Sequence, residues 1–192
     1  MFLENQRMFL PRLGGELEET FFTFSHSPVR DESGGIGAVT DAADVARQTI
    51  EILAVLDFDL PFLLYYALDE TSGTYRLVAH HGIEAGRAAT SLAVEPDATG
   101  PWPFAKAMST SRVTVVDDLV AILRGERCGP YEEPPNCAFM IPANVPSAER
   151  TPAVLIAGVS SRLRMTDAHG DFYHLLGVTI SAALSTMRAW ED

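Results

Sequence analysis

The fold of this chain is indicated most clearly by three consecutive segments, DLPFLLYYALD (residues 59–69), ETSG (70–73) and TYRLVAHHGI (74–83). The first segment is apolar at nearly every position, which is typical of a central strand covered on both faces. ETSG has the composition of a tight turn, and the β-branched and aromatic residues that follow return as a second strand. The sequence therefore predicts an antiparallel hairpin in the middle of a sheet.

Further strands and helices are predicted on both sides of this hairpin. Before it, Asp41 is placed to cap a helix with apolar positions Ala46, Ile50, Leu53 and Leu56. After it, the pattern predicts strands at 91–94, 113–116, 137–145 and 151–161, and helical segments at 103–110, at 119–124 and from about 166 to the end. Because consecutive strands are joined by short turns, we predict an α+β fold, an antiparallel sheet flanked by helices.

The first 40 residues differ from the rest. LEETFFTFSHSPV (17–29) alternates polar and aromatic residues like a strand, DESGG (31–35) has turn chemistry, and IGAV (36–39) completes a predicted hairpin. An isolated two-stranded hairpin is marginally stable, so this piece is expected to pack on something else. We therefore divide the chain into a hairpin segment, 1–40, and a main domain, 41–192.

Composition limits the classes of function. The chain has 192 residues with a net charge of −12, and Lys106 is its single lysine. An acidic surface disfavours a nucleic-acid partner, since phosphate binding needs a basic face. No apolar run is long enough to span a bilayer, and Glu4, Arg7 and Arg12 interrupt the N-terminal apolar residues. We expect a cytoplasmic protein with no membrane partner.

Residues with reactive side chains are few and are poorly placed for catalysis. His80 and His81 are strand neighbours that point to opposite faces, which disfavours a shared metal. Asp117 and Asp118 suggest paired acid–base carboxylates, although a turn or helix-capping role is the stronger expectation. Cys128 and Cys137 lack a nearby activating histidine, and the sequence contains no GxSxG, P-loop or GxGxxG motif.

Four segments resemble a GAF domain from about residue 41 to 190. They are LPFLLYYALD (60–69), WPFAKAMSTSRVTVVDD (102–118), PAVLIAGV (152–159) and the closing helix. LEETFFTFSHSPVRDESGG (17–35) resembles the last hairpin of a PAS domain, and the tandem resembles the sensory region of PAS–GAF histidine kinases, hybrid kinases included. The resemblance implies a GAF-like fold related to PAS and a sensory role in two-component signal transduction.

The kinase part of that family is not expected in this chain. No histidine is followed by an acid as in a phospho-acceptor motif, and no ATP-binding motif occurs. We expect a truncated piece of a larger receptor, without enzymatic activity and without a functional PAS ligand site. Some GAF domains hold a bilin through a cysteine or haem through a histidine. Cys128 is followed by Gly129 rather than histidine and Cys137 begins a predicted strand, so no covalent bilin or haem is expected.

The resemblance also implies a pocket for a small molecule between the sheet and the short helix and loops on one face. The candidate lining residues are Tyr66, Trp102, Phe104 and Phe139. The alternative, that all four fill the core, stays open. The asparagine and lysine typical of GAF domains that bind cyclic nucleotides cannot be placed, so those ligands are disfavoured.

The closing helix suggests a homodimer. Its candidate interface residues follow a spacing of four, three, four and three, namely Leu176, Ile180, Ala183, Met187 and Trp190. This seam covers only about two heptads, and a coiled coil is argued from three or four.

The sequence thus favours a non-catalytic sensory domain that binds a small molecule and relays conformation through its terminal helices. Alternatives are a structural dimerisation module with no ligand, or a small enzyme that uses Asp117 and Asp118.

Overall fold

A computed structural model of the chain describes residues 2–11, 17–25, 29–30, 36–37, 42–97, 99–146 and 148–191. Within these residues the strands are β1 Phe2–Pro11, β2 Leu17–Ser25, β3 Val29–Arg30, β4 Ile36–Gly37, β5 Leu63–Asp69, β6 Thr74–His81, β7 Ala93–Val94, β8 Thr114–Val116, β9 Cys137–Ala143 and β10 Ala153–Val159. The helices are α1 Ala42–Ala54, α2 Phe104–Thr110, α3 Leu119–Leu123 and α4 Asp167–Glu191.

The main sheet is antiparallel throughout and has the strand order β7-β6-β5-β10-β9-β8 in the described part of the chain. β5 pairs with β6 on one side and with β10 on the other, which confirms the predicted hairpin and its central position. Every residue of β9 and β10 is buried, because the sheet is covered on both faces. The predicted α+β class is confirmed.

The turn between β5 and β6 is organised by Asp69. Its carboxylate accepts hydrogen bonds from the backbone N–H groups of Thr71, at 3.0 Å, and Ser72, at 3.3 Å, in the manner of an Asx turn. The guanidinium of Arg76 donates to the other oxygen at 3.0 Å. The bond from Arg76 and those from Ser72 lower the pKa of Asp69 to about 2. Gly73 closes the turn with a φ of +72°.

Helices α1 and α4 cover one face of the sheet. Ala46, Ile50 and Leu53 of α1 are buried, and Leu56 is partly buried against the same core, as the apolar spacing predicts. α4 supplies a second row of buried residues to this core, which is taken up below. No helix in the described residues is long and apolar enough to cross a bilayer.

The other face is covered by α2, α3 and the loops on either side of them. Two of these segments meet at a close backbone approach around Pro61. The N–H of Gly129 donates to the carbonyl of Gly82 at 2.9 Å, and both glycines have positive φ. A Cβ at Gly82 would lie 2.0 Å from the Pro61 oxygen, and a Cβ at Gly129 would lie 2.4 Å from Pro61 Cβ. Only glycine fits this approach.

The N-terminal segment pairs differently from the prediction. The predicted strand at 17–29 is present as β2, but β2 pairs with β1 rather than with 36–39. Residues 36–37 pair instead with 29–30, as β3 with β4. The apolar and polar residues of 2–11 alternate too irregularly for the sequence to predict β1. The predicted turn at 31–35 and the predicted cap Asp41 lie outside the described residues.

Candidate functional site

Three of the four aromatic residues predicted to line a pocket come together beneath α2. Tyr66, Trp102 and Phe104 are at most 2% exposed, and the rings of Tyr66 and Phe104 meet edge to face at 5.3 Å. The Tyr66 hydroxyl donates to the carbonyl of Ser91 at 2.9 Å, and the Trp102 indole N–H donates to that of Ala89 at 2.6 Å. These aromatic residues form a packed core whose polar atoms are paired with the backbone. Ligand binding by them stays a prediction.

Phe139 must be separated from the other three, because it lies on the opposite face of the sheet. Its ring stacks on Tyr173 of α4 with centroids 4.0 Å apart and an interplanar angle of 17°. Its strand neighbours Ala138 and Met140 belong to the core on the α2 side, as the alternation of a strand requires. All of β9 is buried, so its sequence shows no alternation of polar and apolar residues. The sequence therefore does not indicate which residues of β9 point toward α4 and which point toward α2.

A cleft of about 830 Å³ lies at one end of the sheet, by the β5–β6 and β9–β10 turns, just outside the aromatic core. Its walls are formed by residues within 72–75, 95–97, 105–111 and 144–151. The side chains of Tyr75 and Met108 lie where it meets the core. The Tyr75 hydroxyl donates to the Thr151 carbonyl at 2.7 Å and lies 3.1 Å from Met108 Sδ. Burial raises the pKa of Tyr75 to about 12, so this phenol stays protonated.

Four charged side chains line this cleft. They are Arg150, Glu95, Asp97 and Glu149, all exposed, and none forms an ion pair with another residue that the structure describes. Arg150 extends toward the β5–β6 turn, where its Nη1 lies 3.2 Å from the position that a Cβ on Gly73 would occupy. The cleft therefore offers a free guanidinium and free carboxylates to an incoming molecule.

Asn144, in one wall of the cleft, is hydrogen-bonded to three other parts of the domain. Its side-chain amide donates to the carbonyl of Ser111, just after α2, at 3.0 Å, and its side-chain oxygen accepts from the Thr151 hydroxyl at 3.0 Å. Its backbone N–H donates to the hydroxyl of Ser181 in α4 at 2.9 Å. Asn144 thus joins α2, the β9–β10 turn and the terminal helix.

Two further contacts bring α4 close to the cleft. Gly177 allows a tight approach of the helix to β9, because a Cβ there would lie 2.9 Å from Ile141 Cγ2. At the far end, the guanidinium of Arg188 forms an ion pair of 2.6 Å with Glu70 in the β5–β6 turn. Exposed ion pairs contribute little to stability, so the second contact fixes position more than it adds energy.

The predicted dimer seam on α4 faces the sheet instead of a partner. Leu176, Ile180 and Met187 are buried in the core under α1 and α4, and Ala183 packs against that core. The side chain of Trp190 lies outside the described residues. This corrects the prediction for the four residues that the structure describes. Over about two heptads, the 3.5-residue repeat of a coiled coil cannot be distinguished from the 3.6-residue repeat of any α-helix. The predicted seam is the stripe of α4 that packs on the domain's own core.

The remaining reactive groups are inert or dispersed. Cys128 and Cys137 are buried in cores on opposite faces of the sheet, and burial raises the pKa of each thiol to about 11. Asp117 and Asp118 are exposed. Asp118 precedes α3 in the left-handed region, at a φ of +58°, and its side chain makes no capping hydrogen bond. The described residues hold no group of three or more histidine, cysteine or acidic side chains suited to a metal.

The cleft residues were not singled out from the sequence. Arg150 lies at the end of a segment that reads only as a polar turn between two strands, PSAER (146–150). Glu95 and Asp97 follow a strand of two residues, and Asn144 directly follows another strand, β9. No motif links these positions, because they meet only when four separate segments fold to one end of the sheet.

No family model matches the chain, and no curated protein matches it. Among solved structures, the chain is similar to free methionine-R-sulfoxide reductase from Neisseria meningitidis, at 17% identity and a TM-score of 0.56 over 80% of this chain and 83% of that one. It is similar to a GAF domain/HD domain protein from Geobacter sulfurreducens at 16% identity and a TM-score of 0.56, covering 78% and 95% of the two chains.

It is also similar to the GAF domain of a two-component sensor histidine kinase from Bacillus halodurans. Here the identity is 12% and the TM-score 0.52, over 80% of this chain and all of that one. At such identities the likeness establishes the fold alone. The chain has a GAF-type fold, which confirms the predicted GAF-like class, whereas the PAS-like assignment of residues 1–40 stays a prediction.

Proposed function

We propose that this chain is a non-catalytic sensory or regulatory domain of signal transduction. It binds a small molecule in the cleft at the end of the sheet and relays a change of conformation through its terminal helices. The observation that supports this most is the position of Asn144, a cleft residue that is hydrogen-bonded to both α2 and the terminal helix α4.

The mechanism follows from that position. A ligand in the cleft contacts α2 on one side and the β9–β10 turn on the other. It therefore lies against both residues to which the Asn144 side chain is hydrogen-bonded, Ser111 and Thr151. A shift of the turn then alters the bond from Asn144 to Ser181. A ligand moves such an equilibrium only by its difference in affinity for the two arrangements, and couplings of about 1–3 kcal/mol are typical.

A catalytic function has weaker support. One structural neighbour is a sulfoxide reductase, and reduction of a sulfoxide by protein thiols needs an accessible thiolate. Cys128 and Cys137 are buried, on opposite faces, with pKa values raised to about 11. The same burial is the reason we propose no covalent bilin on either thiol. Asp117 and Asp118 do not line the cleft.

The wider context is also part of this proposal. GAF domains of sensor kinases are among the structural neighbours, so we place the chain in a cytoplasmic signalling protein of the histidine-kinase kind. Residues 1–40 are then a PAS-like hairpin segment before the GAF-type domain at 41–192. The chain holds no recognisable kinase motif of its own.

A homodimer through the terminal helices is a second proposal, now placed on their outer faces. Ile52 of α1, Val55 just after that helix and Val178 of α4 are large apolar residues with more than half of their surface exposed, and the two helices lie against each other. We expect Val178→Arg to dissociate the dimer in sedimentation analysis without unfolding the chain. A wild-type chain that is monomeric at high concentration would refute the dimer.

Native mass spectrometry tests binding in the cleft. The protein is incubated with the low-mass fraction of a cell extract and compared with Ala105→Trp, since Ala105 is exposed on α2 and lines the cleft. Ala121→Trp, at an exposed position of α3 outside the cleft, is the matched control. We expect a retained mass on the wild type and the control that is lost from Ala105→Trp. No retained mass, or equal retention by all three, would contradict the proposal.

A further inference from the structure

The cleft presents opposite charges around the start of β6. β7 pairs with β6 so that Val94 lies opposite Tyr75, which places Glu95 beside the first residue of β6. The Arg150 guanidinium lies over Gly73, the residue immediately before β6. Glu95 and Arg150 therefore lie beside two consecutive residues, Thr74 and Gly73, and both line the cleft.

These charges are not used within the described chain. Arg150 and the acidic pair Glu95 and Asp97 form no ion pair with any described residue, although all three line one cleft. A guanidinium binds a carboxylate through two parallel hydrogen bonds, and a carboxylate binds an ammonium group through a charge-assisted one. A molecule that carries both groups would satisfy both sides of the cleft at once.

We infer that the cleft takes a zwitterionic small molecule of the free amino acid class, with its carboxylate on Arg150 and its ammonium group on Glu95 and Asp97. This inference rests on the proposed function, because it names the class of ligand for the same cleft. An α-amino acid carries its carboxylate and its ammonium group on one carbon, and the opposite charges of the cleft lie beside the consecutive residues Gly73 and Thr74.

Charge also disfavours the other ligand classes. Three carboxylates line the cleft against one guanidinium, and the chain carries a net charge of −12, so a nucleotide or another polyanion is repelled. A simple cation would leave Arg150 without a partner and facing a like charge. The Tyr75 ring and Met108, where the cleft meets the core, offer apolar contact to the side chain of the ligand.

The test titrates the full chain with each of the twenty free L-amino acids, followed by calorimetry or ligand-observed NMR. For each amino acid that binds, the methyl ester removes the carboxylate charge and the N-acetyl derivative removes the ammonium charge. We expect at least one amino acid to bind and both of its derivatives to bind at least about tenfold more weakly, since a charged hydrogen bond is lost in each.

Matched variants place the binding on the named residues. We expect Arg150→Gln to weaken binding about 10- to 100-fold and Glu95→Gln with Asp97→Asn to do the same. Arg164→Gln and Glu132→Gln, which are exposed outside the cleft, should leave binding unchanged. Because all of these side chains are exposed, the variants should unfold at the wild-type denaturant concentration, which excludes misfolding as the cause.

Failure of this inference can be told from failure of the proposed function. If no amino acid binds, or if the esters bind as well as the amino acids, the zwitterion class is overturned. If the native spectra still show a retained mass that Ala105→Trp loses, the cleft remains a small-molecule site of another class. If they show none, the proposed function falls as well.

Discussion

The backbone N–H of Asn144 donates a 2.9 Å hydrogen bond to the hydroxyl of Ser181, and this bond joins a wall of the cleft to the terminal helix. The same hydroxyl donates to the carbonyl of Gly177 within α4, at the point where the helix lies closest to β9. A displacement at the β9–β10 turn therefore acts on the helix through a direct polar contact rather than through a long chain of packed side chains.

Removal of this hydroxyl should lower stability by a small, measurable amount. Ser181→Ala leaves the Asn144 N–H without its partner, and we expect a loss of about 1 kcal/mol in the free energy of unfolding. Ser185→Ala is the control, because among the described residues the Ser185 hydroxyl bonds only to the Ser181 carbonyl of its own helix. Both variants gain the same helix propensity, so urea unfolding of the pair isolates the Asn144 contact. Equal stabilities would contradict it.

The aromatic residues beneath α2 should behave as core. Phe104 contacts both Tyr66 and Tyr75 with centroids 5.3 Å apart and is 1% exposed. We expect Phe104→Ala to cost about 3–5 kcal/mol of unfolding free energy. Phe58→Ala, at a ring that is 53% exposed, should cost far less. If the two costs in urea are alike, the aromatic group is not a packed core and the predicted interior pocket must be reconsidered.

His169 should make the stability of the chain depend on pH. Its Nδ1 accepts from the backbone N–H of Thr166 at 3.0 Å, in the manner of a capping box at the start of α4, and this requires a deprotonated nitrogen. The side chain is buried, which lowers its pKa, and the backbone contact with Thr166 and the nearby Asp59 carboxylate oppose that shift only in part.

The direction of the effect follows from linkage. Between the lowered folded pKa and the unfolded pKa of about 6.5, the folded state binds fewer protons than the unfolded state, so stability falls as the pH drops through that window. His169→Gln keeps an acceptor for the cap and should flatten this part of the pH profile. His174→Gln, at an exposed position of the same helix, should not. A profile that His169→Gln leaves unchanged would refute the assignment.

The close approach at Pro61 should tolerate no side chain. Gly129 and Gly125 both have positive φ, but a Cβ meets Pro61 at 2.4 Å only at Gly129 and nothing within 4 Å at Gly125. Gly125→Ala should cost about 1–2 kcal/mol from backbone strain alone. Gly129→Ala should cost clearly more, since the loop must also leave Pro61. Similar unfolding midpoints for the two variants would contradict the packing.

The sequence predicted the main domain well because its strands and helices carry strong local patterns. The apolar run at 63–69 followed by an Asp-led turn specifies β5 and its hairpin almost alone. The sequence could not predict which face of the sheet carries Phe139, because a strand buried on both sides has no alternation of polar and apolar residues. The α4 seam failed for a related reason: apolar spacing marks the buried stripe of a helix but does not identify what buries it.

The cleft lay beyond sequence reasoning for a different reason. Its charged residues lie in turns and short segments, where a polar residue is expected on any protein surface. Arg150 and Glu95 are 55 positions apart and line the same cleft only because β7 pairs with β6 beside the turn over which Arg150 extends. Such a juxtaposition is a product of tertiary structure alone.

Hydrogen–deuterium exchange with and without the retained molecule shows whether the cleft communicates with α4. We expect slower exchange on binding in the β9–β10 turn and in α4 near Ser181. In Ser181→Ala the effect at the turn should persist, and that in α4 should be lost. An unchanged α4 in the wild type, despite protection of the turn, would contradict the account.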